Sequence, residues 1–200
     1  MKKVSVESVT ATRPLFQMGE GGSIPTSTHQ LWLELISNRQ ANTVYAQYHY
    51  LADTPFISSI SFGVFFGGEL HGALSWGPPA GKVMKGLYDE VTQRSWWELK
   101  RLALSDLCPK NSESRVIALC IKLIRKQYNV AGILTYADDS VGHKGTIYKA
   151  CGFEYRGLVA EKSDFYDFDE KKIIQRGTVA ERNGEWRPRT RKHLFVKNFK

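Results

Sequence analysis

The stretch from Tyr136 to Gly157, YADDSVGHKGTIYKACGFEYRG, governs how the rest of the chain is to be arranged. It opens at the end of an apolar run, AGILTYAD, that reads as a buried strand. It then crosses a polar turn, forms a short helix in GTIYKACG, and leads into a second strand-like run, FEYRGLVA. Strand, turn, helix and strand in this order make up the repeating unit of an α/β sheet. Asp138 ends the first run, so it should emerge at the sheet's carboxyl edge, where open α/β sheets hold their ligands. Asp139, His143, Lys144 and Tyr148 follow closely. Aspartates at such a turn also suit helix capping, and one of the neighbouring pair can be only that. Tyr148, mid-helix, faces back toward the strand ends if the helix packs on the sheet, although most helical tyrosines are core.

Working upstream, SESRVIALCIKLIRKQYN is an amphipathic helix with Ile117, Cys120, Ile121, Ile124 and Tyr128 on one face. The turn SDLCPKN precedes it, with Asn111 or Ser112 as N-cap. WWELKRLAL reads as a strand, and strict alternation puts Arg101 on the face of Trp97, Leu99 and Ala103. An arginine there either pairs with a carboxylate such as Glu98 or Asp138, snorkels at a sheet edge, or faces a substrate. SSISFGVFFGG and ELHGALSWG form a hairpin turning at Gly67-Gly68, closed by GPPAGK. HQLWLELISNRQANTVYAQYHY reads as one or two helices. The expected order is α, hairpin, β, α, β, α, β in one domain spanning residues 1–200, with a sheet of mixed direction.

Composition bounds the function. An apolar share of 42% across 200 residues supports one real core. No run is long and apolar enough to span a bilayer, and MKKVSVESVT lacks an apolar signal region, so a cytoplasmic protein without a membrane partner is expected. Three cysteines with no CxxC pair suit a reducing compartment. Basic and acidic residues balance in the first half, and the excess lies wholly in the second, at 20 against 12. The segment 182–200 is the most basic, and its last fifteen residues hold six cations and no acid. Arg187, Arg189, Arg191 and Lys192, interleaved with Trp186 and His193, suit a phosphate backbone beside stackable bases. The competing interpretation is a solvated tail. On either view, removal of residues 186–200 should leave the fold intact.

Three places carry candidate chemistry. His49 and Tyr50, within the YHY run before the hairpin, become an acid/base set if they meet Asp138 and Tyr148 in space. Asn111, Ser112 and Ser114 open the long helix, where free amides and side-chain donors suit an anion, although plain capping needs only one of them. Arg101 is the third. No metal-ligand spacing is recognisable.

The element order resembles the GNAT (N-acetyltransferase-like) fold: a mixed sheet, flanked by helices, whose central strands splay apart to admit a donor. Tyr148 stands where that fold often keeps a general acid. ELKRLALSD, PKNSESR, the 136–157 stretch, RKHLFVKNF and the start MKKVSVESVTATRPLFQ resemble the Mom DNA-modification proteins of Mu-like bacteriophages. That resemblance implies conversion of adenine in double-stranded phage DNA to N6-carbamoylmethyl-adenine in the host cytoplasm, shielding it from restriction. Carried over, the active-site candidates are His49, Tyr50, Asp138 or Asp139, and Tyr148. Arg101 and Ser114 support them, and Asn111, Ser112, His143 and Lys144 complete the substrate- and donor-binding set.

One departure bears on the donor. GNAT enzymes that use acyl-CoA usually carry a glycine-bearing pyrophosphate loop, and this chain has no glycine from Ser105 to Asn129. This leaves the acyl donor open: glycyl-tRNA is hypothesised because a glycyl group can be turned into a carbamoylmethyl product, and acetyl-CoA is the alternative. Metal-assisted alkylation at His49, Tyr50 and Asp138 is the rival chemistry. The other candidate functions are an acetyl-CoA-dependent N-acetyltransferase of a small amine or protein, and a non-catalytic DNA-binding module.

Overall fold

The computed structural model describes residues 25–50, 57–79, 95–174, 179 and 181–199. The N-terminal stretch and the second half of GPPAGK, residues 80–82, lie outside the described residues. A seven-stranded sheet carries the core, and a three-stranded sheet is added to it.

The first element differs from the sequence expectation. Trp32–Ile36 is an edge strand, β1, paired antiparallel with β2 (Ile60–Phe66). The alternation of Leu31, Leu33 and Leu35 about polar Glu34 is a strand period, and it outweighs helix propensity because Leu33 is fully buried. Helix α1 (Asn38–Tyr48) starts only at Ser37. There the Ser37 hydroxyl accepts from the Gln40 amide at 3.2 Å, and the Gln40 side chain accepts from the Ser37 amide at 3.0 Å, a reciprocal cap.

The middle of the chain follows expectation. β2 turns at Gly67 and Gly68, both at positive φ, into β3 (Glu69–Gly77), and β4 (Trp96–Leu104) pairs with β3. The long helix α2 spans Ser112–Gln127 and leads to β5 (Gly132–Asp138). Val116, Ile117, Cys120 and Ile124 of α2 pack on Leu33, Val64, Leu74, Trp76 and Leu99. On the opposite face, Ala41, Val44 and Tyr45 of α1 pack on Ala73 and Ala103. A short helix α3 (Thr146–Ala150) precedes β6 (Glu154–Leu158).

Strict alternation fails within β4. Trp76 faces Leu99 while Ser75 faces Arg101, so β4 carries one extra residue at Lys100. This bulge turns Arg101 to the other side of the sheet. Leu99 stays with the α2 core, whereas Arg101 and Ala103 face α1. Arg101 therefore does not share the face of Trp97 and Leu99.

Two further corrections concern the basic end. Residues 182–199 are not a solvated tail. β10 (Lys192–Asn198) lies between β5 and β6, antiparallel to both, with Phe195 fully buried and Leu194 and Val196 nearly so. The second sheet, with β7 (Lys162–Asp167) between β8 (Lys172–Ile174) and β9 (Gly184–Arg189), was not anticipated. Its strands are short, and their alternation is carried by charged pairs such as Asp164 with Arg189 instead of apolar residues.

The strands flanking α2 splay. β4 and β5 are parallel, and their pairing runs only from Trp96↔Gly132 to Leu99↔Thr135. Beyond that point β4 continues alongside β3 and β5 alongside β10. The two strands thus diverge into a fork at the end of the sheet that carries Asp138.

Because β10 is an interior strand, removing residues 192–200 should abolish cooperative folding, contrary to the expectation from charge alone. Phe195→Ala should lower the stability by about 3–5 kcal/mol in urea unfolding, the usual cost of deleting a fully buried phenyl ring.

Candidate active site

Asp138 ends β5 and caps the short 3-10 turn Asp139–Val141. Its Oδ1 accepts from the Ser140 amide at 3.1 Å and hydroxyl at 2.6 Å. Its Oδ2 accepts from the Tyr50 hydroxyl at 3.4 Å and lies 3.4 Å from Lys192 Nζ, which faces it across the β5–β10 pair. Capping and site geometry therefore fall on the same carboxylate. Asp139 points elsewhere, toward His193 Nε2 at 3.4 Å, whose Nδ1 meets the Tyr155 hydroxyl at 2.8 Å.

His49 and Tyr50 leave α1 at its C-terminus, and their rings stack at 4.5 Å. His143, from the turn after β5, meets Tyr50 edge-on at 5.8 Å. Arg101 enters from the bulge with its guanidinium 5.7 Å from the centre of the Tyr45 ring. Tyr45 lies one helical turn before His49, with ring centres 5.8 Å apart. Its hydroxyl donates to Ser75 Oγ at 2.7 Å, continuing to Ser61 at 2.8 Å. Sequence reading missed Tyr45 and Ser75. The spacing of Tyr45 and His49 at i and i+4 was the available signal.

Tyr148 reaches the fork from the other side. It is half-buried on α3 against Phe195 at 5.5 Å and Phe153 at 6.0 Å. Burial raises its phenol, and a hydrogen bond with Thr135 opposes this. Thr135 is the last residue of β5 paired with β4, and its hydroxyl donates to the Leu99 carbonyl at 3.1 Å.

The protonation states follow from these surroundings. Burial, then the charges of Arg101, His143 and Lys192, pushes the His49 imidazole down to about 4, so it is neutral at pH 7. Burial, then Asp138, pushes the Tyr50 phenol up to about 12. Burial alone would raise the Asp138 carboxyl, but hydrogen bonds from Ser140 and the Lys192 ammonium outweigh it and hold the group below the usual carboxylate range. Burial likewise lowers Arg101. The cluster therefore combines a carboxylate, a neutral imidazole, a protonated phenol and two cations.

The remaining candidates divide. Asn111 and Ser114 line a cleft of about 370 Å3 between the start of α2 and Thr146 and Ile147 of α3. Asn111 sits at φ 72 and makes no side-chain cap. This is the left-handed conformation that a glycine would supply most cheaply, and asparagine is among the residues that tolerate it. Ser112 is buried and its hydroxyl donates to the Pro109 carbonyl at 2.6 Å, which takes it out of the cleft. Lys144 is exposed and is not drawn into the cluster by any described contact. Arg187 lies over the Tyr166 ring at 3.7 Å, Arg189 is held by Asp164, and Arg191 donates to the Val159 carbonyl at 2.8 Å. Among the described residues no cluster of three or more metal-ligating side chains occurs, and no helix is long and apolar enough to cross a membrane.

Residues 30–199 match the family model described as the Mom protein family. The chain belongs to the Mom family. Over 163 residues it is 34% identical to the methylcarbamoylase mom of Escherichia phage Mu, a match covering 79% of this chain and 66% of that protein, just under two thirds of its length. Among solved structures, it resembles a Bacillus subtilis acetyltransferase in complex with CoA at a TM-score of 0.53 and 15% identity, over 84% of this chain and 99% of that one. It also resembles an aminoglycoside acetyltransferase in complex with coenzyme A and kanamycin, at a TM-score of 0.51 and 14% identity, over 84% and 94% of the two chains. These likenesses establish the fold, the mixed sheet of the GNAT acetyltransferases.

His49 gives a pH test. Its folded pKa of about 4 lies below the ordinary 6.5, so between these values the unfolded chain binds a proton that the folded one refuses. Stability should therefore fall as pH drops through that window, and this slope should vanish in His49→Gln. NMR titration of the imidazole should show a neutral His49 down to about pH 5.

Proposed function

We propose that this Mom-family chain is a DNA-modifying transferase that converts adenine to N6-carbamoylmethyl-adenine. The observation that carries it is the convergence of ionised Asp138, protonated Tyr50 and neutral His49 at the fork between β4 and β5, opposite Tyr148. The relative's name, methylcarbamoylase, supports the reaction class, and the acyltransferase fold supports a carbonyl donor entering the fork.

An amide-bearing alkyl group on N6 is not the direct product of acyl transfer, but a glycyl ester reaches it in two balanced steps. Adenine N6 attacks the glycyl carbonyl, and the ribose oxygen of glycyl-tRNA departs. Asp138 or neutral His49 takes the N6 proton, and Tyr148 gives its phenolic proton to the leaving oxygen. The product is N6-glycyl-adenine. Its free amine then attacks C6 through a five-membered ring, and the C6–N6 bond breaks. The original N6 leaves the ring as the terminal amide, and the glycine nitrogen becomes the new N6. No oxidant or reductant is consumed. The target base must leave the duplex stack to reach the fork, by flipping or on a transiently open strand. Modified DNA of this kind would resist restriction in the host cytoplasm.

A second reading, acetyl-CoA-dependent N-acetylation, is favoured by one observation. Asn111 supplies the left-handed turn beside the 370 Å3 cleft, which softens the argument from the missing glycine.

Nucleosides from plasmid DNA of cells expressing the chain separate the readings. Deoxyadenosine bearing a carbamoylmethyl group should appear, and Asp138→Ala and Tyr148→Phe should each reduce it by about 100-fold or more. In a purified reaction, glycyl-tRNA carrying nitrogen-15 glycine should leave the label on the purine after the amide has been hydrolysed, because the amide nitrogen comes from adenine. Label lost with the amide, or acetylated product, would reject the glycyl route.

A further inference from the structure

β7 and β9 of the small sheet border a groove of about 610 Å3, lined by Glu161, Lys162, Trp186, Pro188, Arg189 and Arg191. Trp186 stands edge-on to Phe165 at 5.5 Å yet keeps 51% of its surface exposed. A half-exposed indole beside cations offers a face on which another ring can stack. The cations are fixed in position: Arg191 donates to the Val159 carbonyl at 2.8 Å and lies 4.0 Å from Glu161, and Arg189 is gripped by Asp164. A stackable ring flanked by anchored guanidiniums and a lysine is the composition of a single-strand nucleic-acid groove, where bases stack on the ring and phosphates sit by the cations. A duplex would bury the base faces that such a ring engages.

The groove also lies on the path to the fork. β9 ends at Arg189 and β10 begins at Lys192, whose Nζ is 3.4 Å from Asp138. Arg191, in the groove wall, immediately precedes Lys192 in the chain. A strand held along Trp186 and Arg191 is thereby led to the Asp138 carboxylate.

We propose that this groove holds an unpaired stretch of the DNA strand that carries the target adenine, with a neighbouring base stacked on Trp186 and the backbone on Lys162 and Arg191. The assignment of DNA as occupant rests on the proposed function, and the groove gives that function a means of keeping the strand open beside the fork.

Binding of a fluorescein-labelled oligonucleotide, followed by anisotropy, tests the groove without requiring modification. The wild-type chain should bind the single strand more tightly than the same sequence as a duplex. Trp186→Ala should weaken the single strand by about 5- to 150-fold, with Trp186→Phe retaining most of the affinity. Lys162→Gln should lower the slope of log K against log salt by about 0.7. Because Trp186→Ala could disturb the small sheet, the wild-type chain should also be photo-crosslinked to 5-bromouracil-substituted single strand, with the adduct expected on the Trp186 peptide. Crosslinks elsewhere, or full affinity in a folded Trp186→Ala variant, would overturn the groove even if adenine is modified. Trp186-dependent binding of an RNA acceptor stem in preference to DNA would overturn the DNA assignment. Trp186 crosslinks to DNA without adenine modification would leave the groove standing and reject the enzymatic reading alone.

Discussion

Pairing between β4 and β5 stops at Leu99 and Thr135, although both strands continue beyond these residues. Each has a better neighbour on its outer side: β4 stays with β3 to Leu104, and β5 is matched along its full length by β10. The gap thus costs little hydrogen bonding while opening the sheet at the end that carries Asp138. The bulge at Lys100 belongs to the same distortion, and it delivers Arg101 to the α1 side. His49 and Tyr50 approach the gap from that side and Tyr148 from the α2 side. A regular sheet would keep these groups on opposite faces.

Lys192 links the chemistry to the fold. Its ammonium helps to hold Asp138 ionised and, with burial and Arg101, to hold His49 neutral. One cation thereby favours the deprotonated form of both groups, stabilising the carboxylate and disfavouring the imidazolium. Lys192 is offered by β10, whose Leu194, Phe195 and Val196 are core. The basic end of the chain is therefore structural in its middle, and its Lys192 borders the Asp138 cluster.

The fold was legible where short-range rules act alone. The Gly67-Gly68 turn, the apolar face of α2 and the strand end at Asp138 each follow from turn chemistry or periodicity. Expectation failed where distant partners decide. Trp32–Ile36 became a strand because β2 was available beside it, and a bulge in β4 reversed the face of Arg101. The charges of 182–200 masked the apolar triplet Leu194 to Val196, which only the β5–β6 gap explains. In the site, the structure brings His49, Tyr50, Asp138 and His143 together, with Tyr148 on the other side of the fork. Asp139 turns to His193, Ser112 to Pro109, and Lys144 to solvent. A choice between neighbouring aspartates depends on which carboxylate faces Tyr50, and no spacing rule encodes that.

The most direct measurement is a single-turnover reaction with the purified chain, glycyl-tRNA radiolabelled on glycine, and an oligonucleotide with one adenine. Label should pass to the DNA in a burst stoichiometric with protein, first as N6-glycyl-adenine and then as the carbamoylmethyl product. No transfer from glycyl-tRNA, with acetyl transfer from acetyl-CoA in its place, would contradict the account.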